Sequence, residues 1–413
     1  MKTIPALLLA AALTFGQDAA PGLSEEEQTH LRQVLSEAGN SPVEFIRALE
    51  AHLKKYPKTP RKSDIEKALT KSAIESRDSR RIVEYGEKIL ATEQGDPMLL
   101  EQVAQALVIQ GNKADAQRAA GYAGRLVQLL KAQENEKQDS ARERARHKER
   151  IDETLARTWQ IWALAMETQG DNAKAAELAR HSFDLIPSAS ASRIAARLYE
   201  KNGQKSEALA AWANAFAIDE SERPADRKKL IALYREVKGT ETGAGDELLK
   251  AFDRVTEIEQ RREAELRKLD PNHGLERPLD FTLSGLKGDA LDLKSLRGKV
   301  VVFDFWATWC GPCRAQYPLY QQVQERFKKN NKVVFLALST DEERVAVKPF
   351  LDSQKWEKTV YFDDGLSSLL KVSSIPTTMI FNGKGDLVSR MNGFLPERFV
   401  DMLSDRILQA LNE

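Results

Sequence analysis

Apolar positions recur at helical spacing from Ser24 to about Leu269, in a stretch rich in Ala, Glu, Lys, Arg, Gln and Leu with almost no strand-like alternation. Its last helix runs from about Asp246, with Leu248, Phe252, Val255 and Ile258 on one face. It stops at Asp270-Pro271, because proline cannot continue it. Beyond Pro271 the pattern switches. DFTL, KVVVFDFW, KVVFLALS, TVYFD and TTMIFN are short β-branched or aromatic runs, separated by helical segments at 310–329, 342–356 and 396–411. Strands alternating with helices predict an α/β sheet covered on both faces. The run TTMIFNGKGDLVSRM predicts an antiparallel edge, with a hairpin at Gly383-Lys384-Gly385. The chain therefore reads as an α-helical part, 24–270, followed by an α/β domain, 272–413.

The helical part contains a repeat. GDNAKAAELARHSFDLIP begins at Gly170 and GQKSEALAAWANAFAID at Gly203, 33 residues apart, with Ala at the fifth place on (Ala175, Ala208) and Phe at the thirteenth (Phe183, Phe216). An earlier copy begins at Gly111 with Ala116, and a weaker one at Arg77. A period near 34, with small residues where helices cross and a turn glycine between them, resembles tetratricopeptide repeats. This implies an α-solenoid whose surface takes a protein or peptide ligand. The interval from Gly111 to Gly170 is about 25 residues too long for the ~34-residue period. The excess coincides with 132–150, AQENEKQDSARERARHKER, which has no large apolar residue and reads as a solvated helical extension or mobile loop. Its mixed acids and bases argue against a nucleic-acid arm.

At the start of the chain, one lysine precedes an apolar run from Ile4 to Phe15, followed by small and polar residues. The run is shorter than the roughly 20 residues a spanning helix needs and has the form of an export signal over residues 1–20, with cleavage after Gly16 or a few residues later. No cysteine follows it, which argues against lipid attachment there. The expected mature protein is soluble and exported, periplasmic or extracellular.

The chemistry is concentrated at FWATWCGPCRAQYP, which holds both cysteines of the chain, Cys310 and Cys313. The strand-to-helix pattern puts Cys310 at a helix N-terminus and Cys313 one turn on. The thiolate is the reacting form, and the unpaired amides of a first helical turn stabilise it. That effect is about 0.3–1 kcal/mol, up to ~2 when partly buried. At about 1.36 kcal/mol per pKa unit it amounts to roughly one unit. Zinc would need more ligands than one cysteine pair, and the histidines stand at 30, 52, 147, 181 and 273. Covalent haem attachment needs His after the second cysteine, where Arg314 stands. A staple across two residues would constrain little unfolded chain. Redox chemistry is the reading that survives, with the cysteine pair as its own electron carrier and no other cofactor.

From about 275 to 411 the chain resembles the thioredoxin-fold domain of TlpA-like exported thiol-disulfide oxidoreductases, through PLDFTLSGLKGDALDLKSLRGKVVVFDFWATWCGPCRAQYP and its WCGPC motif. The resemblance implies Cys310 as nucleophile and Cys313 as resolving thiol. It implies a substrate groove bordered by Trp309, Gly311 and Pro312, a cis-proline at Pro376 flanked by Ile375 and Thr377, Gly393 opposite, and a helix-kinking Pro318. It implies protein or peptide disulfide or dithiol substrates and, in an oxidising compartment, a membrane donor of electrons. Gly-Pro between the cysteines and Ile before the cis-proline are similar to reducing thioredoxins. Gln316 stands where many TlpA-like domains carry an acid. Asp304 lies in a strand expected to be buried on both faces; burial raises a carboxyl pKa and suits Asp304 to acid-base work. On that view its replacement by Asn should stabilise the fold. Lys299, Lys332 and Arg314 read as solvated charges.

Composition narrows the remaining choices. Lys+Arg and Asp+Glu are equal at 62 each, so no overall charge favours nucleic acid or an anionic membrane. Two alternatives stay open. One is a peroxiredoxin-like peroxidase, which the Thr308 spacing and the neighbouring tryptophans disfavour. The other is a scaffold whose cysteine pair switches binding by the helical part.

Overall fold

The computed structural model describes residues 23–413 except 94, 139 and 394, and the expected export signal lies outside the described residues. Two compact units form. Of the described residues, one comprises those up to Lys137 with His147–Arg262, the other Gln138–Arg146 with Glu263–Glu413.

Among the described residues, twelve helices lead from Glu25 to Leu269: α1 (Glu25–Ala38), α2 (Pro42–Lys55), α3 (Lys62–Ser76), α4 (Ser79–Thr92), α5 (Pro97–Gln110), α6 (Lys113–Gln133), α7 (Ala141–Gln169), α8 (Asn172–Leu185), α9 (Ala189–Lys201), α10 (Lys205–Ile218), α11 (Arg223–Lys238) and α12 (Ala244–Leu269). Side-chain caps start many of them. Asn112 accepts the Asp115 amide at 2.9 Å, and Asp171 that of Lys174 at 3.0 Å. The glycines that begin the sequence repeats stop helices instead. Gly111, Gly170 and Gly203 have φ of 75°, 95° and 75°, a left-handed turn that a side chain would strain. The alanines five places on, Ala116, Ala175 and Ala208, are buried where neighbouring helices approach, and Phe183 is buried beside Ala191. The excess length after Gly111 lies largely in longer helices, 21 residues in α6 and 29 in α7. The charged stretch 132–150 is therefore mostly helix, and Ala145 within it is buried.

In the second unit a five-stranded sheet has the order β5 (Val360–Phe362), β4 (Val333–Ser339), β3 (Val300–Trp306), β6 (Thr377–Phe381), β7 (Leu387–Asn392). Strand β3 pairs parallel with β4 and antiparallel with β6. The strands β1 (Thr282–Ser284) and β2 (Ala290–Asp292) form a separate hairpin. Helices α13 (Gly311–Phe327), α14 (Val347–Gln354), α15 (Leu366–Leu369) and α16 (Phe399–Leu411) complete the unit. The expected helix at 342–356 is shorter, since a 3₁₀ turn occupies Arg344–Ala346. This is the thioredoxin fold.

Every residue of β3 is buried. Alternation sends Val301, Phe303 and Phe305 into one core with Leu283, Leu338 and Phe381. It sends Val300 and Val302 into another, with Tyr320, Val323, Phe399 and Ile407 of α13 and α16. Asp304 shares that second parity and faces α13. Asn272, just past the helix-ending proline, is buried and acts as a local strand partner. Its Oδ1 accepts the Thr282 amide at 2.8 Å, and its Nδ2 donates to the Thr282 carbonyl at 2.8 Å.

Asn272→Ala leaves both Thr282 backbone groups without that partner, so it is expected to destabilise the unit by about 1–3 kcal/mol. Hydrogen exchange at the Thr282 amide checks this. Unaltered protection there would show that the Asn272 amide is dispensable.

Candidate active site

Strand β3 ends at Trp306, a short loop follows, and α13 begins at Gly311. Cys310 is the N-cap of α13, and its Sγ accepts the Cys313 amide at 3.1 Å. The two cysteines are joined as a disulfide with their Cα atoms 5.3 Å apart. Pro312 contributes no N–H, so the Cys313 amide is the donor the first turn directs at Cys310. Both cysteines are nearly covered, at 3% and 5% exposure. Exposure therefore does not distinguish the two cysteines in the disulfide state. The approach loop is held by Asp341, a residue the sequence reading passed over. Its carboxylate accepts the Thr308 amide at 3.1 Å and the Thr308 hydroxyl at 2.7 Å, and the Ser339 hydroxyl at 2.8 Å.

The residues expected to border a groove separate into two groups. Trp309 is 70% exposed, and Gly311 and Pro312 are exposed beside it. On the other side the Ile375–Pro376 peptide is cis, and Ile375 packs on the apolar cluster that contains both cysteines. Thr377 opens β6 opposite Phe305 of β3, and its hydroxyl donates to the Ser374 carbonyl at 2.7 Å. The Gly393 amide donates to the Pro376 carbonyl at 2.7 Å with φ of 70°. Ile375, Pro376, Thr377 and Gly393 are thus brought together. Pro318 lies inside α13.

Beneath the disulfide lies a buried ion pair. Asp304 and Lys358 are 5% and 7% exposed, and Lys358 Nζ stands 3.1 Å from Asp304 Oδ2. The other carboxylate oxygen accepts from Gln316 Nε2 at 3.1 Å. Gln316 is three residues beyond Cys313, so the residue that holds Asp304 lies about one turn along α13 from that cysteine. The ammonium of Lys358 also sits 4.2 Å from the Trp306 ring centroid, with Tyr317 at 5.4 Å and Trp356 at 5.9 Å. Burial pulls the Lys358 ammonium below the ordinary lysine range, against the opposing pull of Asp304. Burial first, then the Asp304 charge, pushes the Tyr320 hydroxyl well above its usual value, which keeps it neutral.

Lys358 changes the reading of Asp304. The expectation that removing the carboxyl stabilises the fold assumed a lone buried acid. Here the acid offsets a buried ammonium, and removing it strands that charge. Sequence alone concealed this, because SQKWEKTVYF has the look of a surface loop entering a strand. Trp356, two residues earlier, stacks on Tyr317 at 4.0 Å and was the one available signal. Of the three charges read as solvated, Arg314 and Lys332 are exposed, whereas Lys299 is half-buried. Among the described residues no group of three or more His, Cys, Asp or Glu is placed to hold a metal ion.

A helix-capping cysteine, a second cysteine one turn on and a buried acid behind it can exchange thiols for disulfides and move the accompanying proton. The AhpC/TSA family model matches residues 276–390. Thiol-disulfide oxidoreductase ResA of Bacillus cereus is 32% identical over 122 residues, 29% of this chain and 69% of that protein. ResA of Halalkalibacterium halodurans is 28% identical over 134 residues, 32% of this chain and 76% of that protein. Among solved structures, a secreted Mycobacterium tuberculosis disulfide oxidoreductase homologous to E. coli DsbE is 28% identical, with a TM-score of 0.28. It covers 32% of this chain and 97% of its own. Through this domain the chain belongs to the ResA/TlpA-like thiol-disulfide oxidoreductases of the AhpC/TSA family.

Proposed function

We propose that the protein is an exported reductase of protein disulfides, in which 272–413 carries the chemistry and the helical part, 24–270, selects the partner. The Cys310 thiolate attacks a substrate disulfide, forms the mixed disulfide and releases one substrate thiolate. Cys313 then gives up its proton to Asp304 and attacks Cys310 Sγ. The products are the Cys310–Cys313 disulfide and the second substrate thiolate. Two electrons pass from the cysteine pair to the substrate, and a membrane donor restores the dithiol. Gln316 and Lys358 orient Asp304, each through one carboxylate oxygen at 3.1 Å. Trp309, Gly311 and Pro312 take one side of the substrate, and Ile375, Pro376, Thr377 and Gly393 the other. The observation that carries this reading is the placement of Cys310 as N-cap of α13 with the Cys313 amide on its sulfur. That environment favours the thiolate on the first cysteine and leaves the second to resolve.

Cys313→Ser is expected to trap partner proteins as mixed disulfides, readable on non-reducing gels of the exported fraction. Equal trapping by Cys310→Ser would reverse the two assignments.

Asp304→Asn is expected to slow resolution of the mixed disulfide by about 10²-fold near neutral pH, with attack by Cys310 less affected. It is also expected to destabilise the protein by about 3 kcal/mol, since Lys358 loses its buried partner. The double replacement with Lys358→Met should recover much of that loss. Stopped-flow fluorescence and denaturant midpoints test both; a more stable single variant would contradict the ion-pair account.

Lys358 should also make stability depend on pH. With its folded pKa below the ordinary value of 10.5, the unfolded chain binds more protons between the two values. The contribution of Lys358 to stability therefore rises with pH through that alkaline window. Lys358→Met is expected to flatten this rise in melting curves taken from neutral pH upward. An unchanged slope would mean that Lys358 titrates as an ordinary lysine.

A further inference from the structure

The helical unit holds a cavity of about 270 Å³ among α8, α9, α10 and α12. Its size lies just under the ~300–1,000 Å³ common for ligand sites. Arg254 of α12 enters it half-buried, with Nε and Nη2 both donating to Asn214 Oδ1 at 3.2 and 3.0 Å. Among the described residues no carboxylate lies within ion-pair distance of this guanidinium, and burial pulls its pKa down. Elsewhere in the same unit half-buried arginines are paired. Arg193 meets Asp219 and Asp226 at 2.9 and 2.8 Å, and Arg81 meets Glu50 and Asp78 at 2.6 and 2.7 Å. An arginine does not escape desolvation by losing its proton, and a neutral amide offsets only part of the cost. A second polar group points the same way. Ser192 on the cavity wall is 1% exposed, and its hydroxyl has no hydrogen-bond partner among the described residues.

The rest of the lining selects among anions. Phe183, Ala195, Ala211 and Ile258 make apolar walls. Asp184, paired at 2.7 Å with Arg180 of the same wall, and Glu207 also line the cavity; the two acids offset the two arginines, so the lining has no excess positive charge to favour a dianion such as a phosphate group. A single carboxylate next to an apolar group fits these constraints. In the last residue of a peptide, both leave the same carbon atom. An internal Asp or Glu would instead bring two further peptide groups against alanine walls that offer them no partner.

We propose that this cavity binds the C-terminal carboxylate of a peptide whose last residue is apolar, with the carboxylate on Arg254 and the last side chain against Phe183 and Ile258. The inference stands apart from the thiol chemistry and concerns which partners the helical unit retains.

Calorimetric titration of the full chain with N-acetyl-Ala-Ala-Leu, its C-terminal amide and isovalerate tests it. The acid peptide is expected to bind at least about tenfold more tightly than the amide. R254Q should lower affinity for the acid by a similar factor, and R254K should restore part of it. Isovalerate, which shares the carboxylate and the branched group, should bind more weakly than the peptide. Equal binding of acid and amide, or no binding of the acid at about 1 mM, would overturn the proposal. Isovalerate binding as tightly as the peptide would reassign the cavity to a free carboxylic acid. The acid–amide comparison on the unmodified chain decides even where R254Q does not fold.

Discussion

Pairing of β3 with β4 on one side and β6 on the other leaves no residue of Val300–Trp306 exposed, and that enclosure positions the chemistry. A strand held on both edges and both faces cannot shift register without moving apolar side chains from one core to the other. Its last residue therefore delivers the following loop to one place, and Asp341 secures that loop through Thr308. Cys310 then stands where the backbone turns into α13. The amide donors of that first turn exist whatever the side chains are, so the position itself offers stabilisation to a thiolate there.

The same strand places an acid where the surrounding medium is poorest in water. A carboxylate in such a setting survives only with partners, and Asp304 has two, the Lys358 ammonium and the Gln316 amide. The aromatic faces of Trp306, Tyr317 and Trp356 share in holding the ammonium. A charge pair with little solvent around it responds strongly to a change of charge nearby. Deprotonation of Cys313, one turn along α13 from Gln316, would be such a change. Site and core are here the same structure, because the face of α13 that packs on the sheet also carries Cys313, Gln316 and Tyr320.

Much of this was legible in the chain. The change from helical spacing to β-branched runs at Pro271 foretold both architectures, and the WCGPC motif at the end of an apolar strand foretold the helix-capping thiol. The glycines at 111, 170 and 203 announced turns because few other residues take their backbone angles at so low a cost. What stayed hidden depends on residues far apart in sequence. Lys358 lies 54 positions from Asp304 and is preceded by polar residues, so its burial follows from the packing of Trp356 on Tyr317. Asn272 has no local pattern that marks it as a partner of Thr282. The long interval after Gly111 left a helical extension and a mobile loop both open, because charged helices lack the apolar stripe by which helices are read.

The reduction potential of the Cys310–Cys313 couple, measured by equilibration with a thiol buffer of known potential, tests the account most directly. Thioredoxin lies near about −270 mV, protein disulfide isomerase near about −180 mV and the oxidant DsbA near about −120 mV. A dithiol that donates electrons to protein disulfides should sit below about −220 mV, on the thioredoxin side of that scale. A value near about −120 mV would make the protein an oxidant and contradict the direction of electron flow argued here.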